Sequence, residues 1–246
     1  MPTTLILSMK FWGGGMNFVL IPGFMTDRAL WRDMEESIRS LGEIIYGDLS
    51  YGQSLQEMAL SNIAVLPDRF ILVGFSLGGY VARWIASLVP ERIDAMILIA
   101  SSNKPDDVNL MTAKHLTAKM VNTVSFGGLS TATIRSSLHD SNKKNTTLIE
   151  FIRSMSLRLG PDVFVRQLQL QRNSPVSLTG TVNFPVLIVA SASDELRTLS
   201  EAEALHSDYP ASVLHVIENA GHMLPLEQPD KLMQVIKEWL HDTGII

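Results

Sequence analysis

The chain has 246 residues, 46% hydrophobic and 18% charged, which excludes wholesale disorder and leaves room for one large core or a core with an insertion. Its formal charge of −5 argues against general nucleic-acid binding. The absence of cysteine rules out disulfides, cysteine-ligated zinc and a thiol nucleophile, and fits a reducing compartment without requiring one.

The opening stretch MPTTLILSMKFWGGGMN lacks an early basic residue, a long apolar run and a small-residue cleavage site, so no secretory leader is expected. NFVLI (17–21) reads as a buried strand, and DRALWRDMEESIRSL (27–41) has helical spacing at Leu30, Met34, Ile38 and Leu41. EIIYGDL (43–49) is strand-like and SLQEMALSNIAVL (54–66) helical. RFILVGF (69–75) predicts a strand, LGGYVARWIASLV (77–89) a helix and IDAMILIAS (93–101) a strand. The rhythm then breaks: 102–184 shows no clear strand but helical stretches at 107–122, 130–138, 146–159 and 161–172, with Pro161 in the first turn of the last. PVLIVASASD (185–194), a helix at 198–207, SVLHVIENA (212–220) and a helix at 229–241 resume the alternation. The expectation is an α/β fold, a mostly parallel sheet with helices on both faces, built from residues 1–101 and 185–246, with 102–184 inserted as a helical lid. The longest apolar runs, such as AMILIA (95–100), are strand-sized, below the ~18 residues of a membrane helix. A soluble, cytoplasmic protein without membrane insertion is expected.

The stretch GFSLG (74–78) carries Ser76 between a predicted buried strand and a predicted helix. G-x-S-x-G in that setting is the pattern of a nucleophile elbow, in which the glycines remove β-carbons around a strained serine. A serine hydroxyl needs a base, and the base an orienting acid. Of six histidines, His115 and His139 fall in the predicted lid, His206 on a helix, His215 in a strand and His241 near the chain end. His222 alone lies in a loop after a buried strand, at the sheet edge where such loops gather chemistry. Asp194 comes directly after the preceding strand, with Glu195 as its neighbouring rival. The order Ser76, Asp194, His222, each at a strand end, marks a candidate catalytic triad.

With LIPGFMTDRALW, YGDLSYGQS, GFSLGGYVA, SASD and AGHMLPLEQP, the sequence resembles the α/β-hydrolase superfamily over nearly its whole length apart from the lid. It looks closest to the small lidded serine esterases and carbon–carbon bond hydrolases, including pimeloyl-acyl-carrier-protein methyl ester esterases. The resemblance implies a serine hydrolase that cleaves a carboxylic ester through an acyl-enzyme, with Ser76, Asp194 and His222 as its triad. Carbon–carbon hydrolysis or a lyase reaction on the same triad, and a hydrolase-fold ligand receptor, are the alternatives.

Acyl transfer needs donors for the developing oxyanion. The Leu77 amide, just after the nucleophile at a helix N-terminus, is one candidate, and the Phe24 amide in IPGFMTD (21–27) the other, ahead of Met25. The family usually carries His-Gly where this chain has Pro22-Gly23, which leaves the local support of that loop to be found. WGGG (12–15) precedes a predicted strand and reads as a hairpin turn rather than an oxyanion motif. No G-x-G-x-x-G, Walker or H-E-x-x-H pattern occurs, so no cofactor and no metal is expected.

Residues 102–184 hold ten Lys and Arg against five Asp and Glu, whereas the remainder holds ten against twenty. The excess, on Arg135, Lys143, Lys144, Arg153, Arg158, Arg166 and Arg172, suits a small-molecule ester that is anionic or borne on an acidic carrier protein; the alternative is ordinary solvated helix faces. Met120, Phe151 and Met155, with Met111, Leu116 and Phe164, are candidates to line an acyl pocket or to form the lid's own core. Met25, Phe75 and Met223, beside the site residues, complete the candidate substrate-binding set.

Overall fold

The structure, a computed structural model, describes residues 15–172 and 182–246. The WGGG turn, Gly15 apart, and part of the predicted lid lie outside the described residues.

Six strands form one parallel sheet: β1 (Met16–Ile21), β2 (Gly42–Tyr46), β3 (Phe70–Phe75), β4 (Ile93–Ile99), β5 (Val186–Ser191) and β6 (Val213–Ile217), in the order β2-β1-β3-β4-β5-β6. Every residue of β3 and β5 is buried, as a parallel strand covered on both faces requires. Side chains alternate between two cores. Phe18, Leu20, Ile71, Val73 and Phe75 join one, and Val19, Ile21, Phe70 and Leu72 the other.

The second core is closed by α2 (Leu55–Ile63), α3 (Leu77–Leu88) and α7 (Leu199–Asp208). The first is closed by α1 (Glu35–Arg39), α8 (Leu224–Glu227), α9 (Pro229–Asp242) and helices from the insertion. The predicted helix at 27–41 is shorter and broken. Asp27 caps a 3₁₀ turn, Arg28–Trp31, by accepting from the Ala29 amide, and α1 begins only at Glu35. Its apolar positions still point inward: Leu30, Met34 and Ile38 are buried.

Between β4 and β5 the chain forms α4 (Val108–Met120), α5 (Thr131–Ser136) and α6 (Thr146–Gln169). At Gly160 (φ 80°, ψ 177°) the backbone leaves the helical region and Pro161 opens a second segment, so α6 is two helices meeting at a kink, where the sequence places the break. The described part of the insertion does not form a separate core. Leu129, Ile134, Leu138, Leu148, Ile152 and Met155 belong to the same cluster as Phe75, Ile99 and Val189 of the sheet. Among the described residues no helix is long and apolar enough to cross a membrane.

The sheet order reverses direction at β1, whose neighbours are β2 and β3. In such sheets the crevice beyond the strands' C-terminal ends at this switch is where ligands bind. Ile21 is in register with Gly74, which sets the loop after β1 beside the turn after β3.

Candidate active site

The turn after β3 is built for one residue. Ser76 has φ 51° and ψ −113°, a conformation that costs a non-glycine residue on the order of 1–3 kcal/mol. It is held there from three sides. Its amide donates to the Ile99 carbonyl at 2.9 Å, and its carbonyl accepts from the Gly79 amide at 3.0 Å and from Ser101 Oγ at 2.9 Å. A β-carbon on Gly78 would lie 2.3 Å from the Pro22 carbonyl oxygen, so glycine there lets the loop after β1 rest on the first turn of α3.

Ser76 Oγ lies 2.8 Å from His222 Nε2, and His222 Nδ1 lies 2.7 Å from Asp194 Oδ2. An ionised Asp194 only accepts, so the neutral imidazole carries its proton on Nδ1 and Nε2 accepts from the serine hydroxyl. Asp194 Oδ1 takes the amides of Leu196 and Arg197, each at 2.8 Å, which fixes the carboxylate and shapes the loop after β5. The three residues are nearly withdrawn from water, at 7%, 6% and 7% exposure for Ser76, Asp194 and His222. Glu195 points elsewhere: it is 67% exposed and pairs with Lys143 at 3.5 Å.

His222 is clamped by the insertion. Its amide donates to the Ser137 carbonyl at 2.8 Å, beside the C-terminus of α5. Glu227 of α8 accepts from the Gly221 amide at 2.8 Å through Oε2, and from the His139 amide at 2.8 Å and Asn142 Nδ2 at 3.0 Å through Oε1. Glu227 therefore ties the histidine loop to the inserted helices. It lies in the AGHMLPLEQP stretch, where the sequence reading assigns it no role.

The loop after β1 has its own supports in place of the missing histidine. The Gly23 amide donates to Thr26 Oγ1 at 2.8 Å. The Met25 amide donates to Gln167 Oε1 at 2.8 Å, and Gln167 Nε2 in turn donates to the Leu49 carbonyl at 3.1 Å. Met25 is thus occupied, whereas the amides of Phe24 and Leu77 have no acceptor among the described residues.

Ser76 and His222 open into a cavity of about 350 Å³. Phe75 and Met223 line it, with Phe24, Leu129, Ile134 and Ile152. Seven candidates lie outside its lining, among them Met111, Leu116, which is exposed, and Phe164, which packs on Phe24 and Phe126. Met25 and Met155 are wholly buried in the core. Phe151 packs under the Arg32 guanidinium, 3.6 Å from its ring centre. Met120, the last residue of α4, is 83% exposed. Most of the basic candidates are also engaged: Arg158 pairs with Asp27, Arg153 with Glu150, Arg166 with the Ser50 carbonyl and Lys143 with Asp140. Arg172 lines the cavity, joined by Lys114 and Arg197, which the sequence reading did not single out. Arg197 had a signal: it follows Asp194 in the same strand-end loop. Among the described residues no group of three or more His, Asp or Glu side chains is arranged to hold a metal ion.

Known proteins share the fold of this chain. A model of the alpha/beta hydrolase family matches residues 18–235. The chain is 36% identical over 102 residues to the pimeloyl-[acyl-carrier protein] methyl ester esterase of Pseudoalteromonas atlantica, a match spanning 37% of this chain and 40% of that protein. A thermophilic esterase from Thermogutta terrifontis, solved with malate bound, superposes with a TM-score of 0.80 at 26% identity, covering 94% of this chain and 91% of that one. The enol-lactonase of Burkholderia xenovorans LB400 shares the fold with a TM-score of 0.79 at 13% identity, covering 93% and 92%. With the family pattern extending from β1 into α9, the chain belongs to the alpha/beta hydrolase family.

Proposed function

We propose that the protein hydrolyses carboxylic esters of small or acyl-chain substrates through an acyl-enzyme on Ser76. The observation that carries this is the unbroken hydrogen-bond chain from Ser76 Oγ through His222 to Asp194, at 2.8 and 2.7 Å, inside a cavity. Ser76 Oγ attacks the ester carbonyl while His222 Nε2 takes its proton, and Asp194 stabilises the imidazolium. The amides of Phe24 and Leu77 hold the oxyanion, each donor of this kind being worth ~10²–10³ in rate. The tetrahedral intermediate collapses, the C–O bond breaks, and His222 returns the proton to the departing alcohol. Water then gives a proton to His222, attacks the acyl carbon and releases the acid, restoring Ser76.

The helices between β4 and β5 act as the lid over this cavity. The curated relative's name describes an ester on an acyl carrier protein. By analogy, a carrier-borne acyl group is a second form in which substrate reaches Ser76, with exposed Arg135 and Lys144 available to an acidic carrier.

The test is hydrolysis of p-nitrophenyl esters of graded chain length by wild type and Ser76→Ala, with fluorophosphonate labelling alongside. Loss of both turnover and label in the variant is expected, and unchanged turnover would overturn the assignment. Labelling without ester turnover would point to carbon–carbon cleavage or ligand reception.

A further inference from the structure

The cavity wall carries more positive charge than its surroundings neutralise. Lys114 of α4, Arg172 beyond α6 and Arg197 beyond β5 all line it, and their side chains are only 13%, 14% and 13% exposed. Asp106, 3% exposed, serves two of them: it bonds Lys114 Nζ and lies 4.0 Å from Arg172 Nε. Glu201 serves the third at 3.9 Å and is shared with Lys104, also at 3.9 Å. Glu195, the acidic side chain of the lining, is mostly solvated and turned to Lys143. Among the described residues, three cations withdrawn from water thus share two carboxylates, one of which has a further claimant. Arg172 Nε is buried without a hydrogen-bond acceptor among the described residues. Partly buried cations with too few counter-charges are costly unless an anion arrives.

We propose that this wall is an anion subsite, and that the preferred substrates are esters carrying a second, ionised carboxylate: half-esters of dicarboxylic acids. This rests on the ester hydrolysis proposed above. The rest of the lining is apolar, with Phe75, Leu129, Ile134, Ile152 and Met223, which suits a methylene chain between the reacting ester and the distal charge. The volume of about 350 Å³ holds about a dozen non-hydrogen atoms at ~30 Å³ each, the size of a methyl half-ester with a backbone of roughly five to seven carbons. Arg172 and Lys114 flank one shared carboxylate, so an incoming carboxylate completes an alternating set of charges rather than displacing an existing pair.

The experiment compares monomethyl and dimethyl esters of the same dicarboxylic acids, from succinate to suberate, as substrates of the wild-type enzyme. The half-ester should be favoured in kcat/KM by about tenfold or more at low salt, with the preference shrinking as ionic strength rises. Arg172→Met and Lys114→Met should each lower the half-ester to diester ratio by about tenfold, and Arg172→Lys should restore part of it. Equal turnover of the two esters by the wild type, or a ratio unmoved in a folded Arg172→Met variant, would overturn the subsite while leaving ester hydrolysis standing. Failure to cleave either ester, together with no turnover of p-nitrophenyl esters, would instead remove the hydrolytic reading. The wild-type comparison decides the matter even if a variant does not fold.

Discussion

Gln167, on the second part of α6, accepts a hydrogen bond from the Met25 amide at 2.8 Å and is itself only 2% exposed. A side chain of the insertion thereby fixes the loop that presents the Phe24 amide to the cavity.

Replacing Gln167 with leucine strands the Met25 amide in a buried setting, at a cost of about 1–3 kcal/mol. The displaced loop should lower kcat by roughly tenfold or more, in the range of losing one oxyanion donor, with KM little changed. Steady-state kinetics beside a urea titration separate the two effects. A stability loss without a fall in kcat would detach Gln167 from the loop's catalytic placement.

Ser76 is held in a conformation that glycine adopts freely, so Ser76→Gly should gain stability, by about 1 kcal/mol, while losing ester hydrolysis. Differential scanning calorimetry checks this, with an expected rise in Tm of a few degrees. An unchanged or lowered Tm would mean that the hydrogen bonds of the serine outweigh its backbone strain.

Gly78→Ala should destabilise the fold by about 3 kcal/mol or more, because the added carbon meets the backbone at Pro22 and Ile21 rather than a flexible side chain. Gly15→Ala, with nothing within 4 Å among the described residues, is the matched control and should be neutral within about 0.5 kcal/mol. Chemical denaturation of both variants gives the comparison directly.

Burial, with the Glu35 carboxylate adding to it, pushes the Tyr46 hydroxyl up from its ordinary 10.0 to about 12, and burial also raises that of Tyr209. A folded-state value above the unfolded one means stability that is whole below pH ~10 and lost as pH climbs from there toward 12. Urea midpoints between these limits should fall for the wild type and fall less for Tyr46→Phe. Parallel curves for the two proteins would assign the alkaline loss to other groups.

Much of this was legible in the sequence because it depends on strand ends. Ser76, Asp194 and His222 each follow a continuous apolar strand, and a parallel sheet brings those ends to one edge whatever the helices do. The cavity wall was less legible, because it depends on how inserted helices rotate. α4 buries only Ala118, so its spacing gave no face to read, and Met120 falls at its solvent-exposed end while Lys114 turns inward. By sequence alone Met155 and Phe151 are candidates for an acyl pocket or for the lid's own core. They suit either equally, and the sheet's own cluster claims Met155. Gln167, Glu227 and Ser137 act through hydrogen bonds to segments far apart in the chain, which no local pattern records.

The shared core of sheet and insertion bears on how substrate is admitted. α5 and α6 hold the Ser137 carbonyl against His222 and Gln167 against Met25, so swinging them away would dismantle the reacting geometry. α4 has no such duty: Val108, Leu116 and Met120 face solvent, and its Lys114 borders the cavity. Movement of α4 alone would leave the hydrogen bonds to His222 and Met25 in place. Hydrogen–deuterium exchange should find α4 opening well before α5 and α6, and occupancy of the cavity by an anion should slow that opening by pinning Lys114.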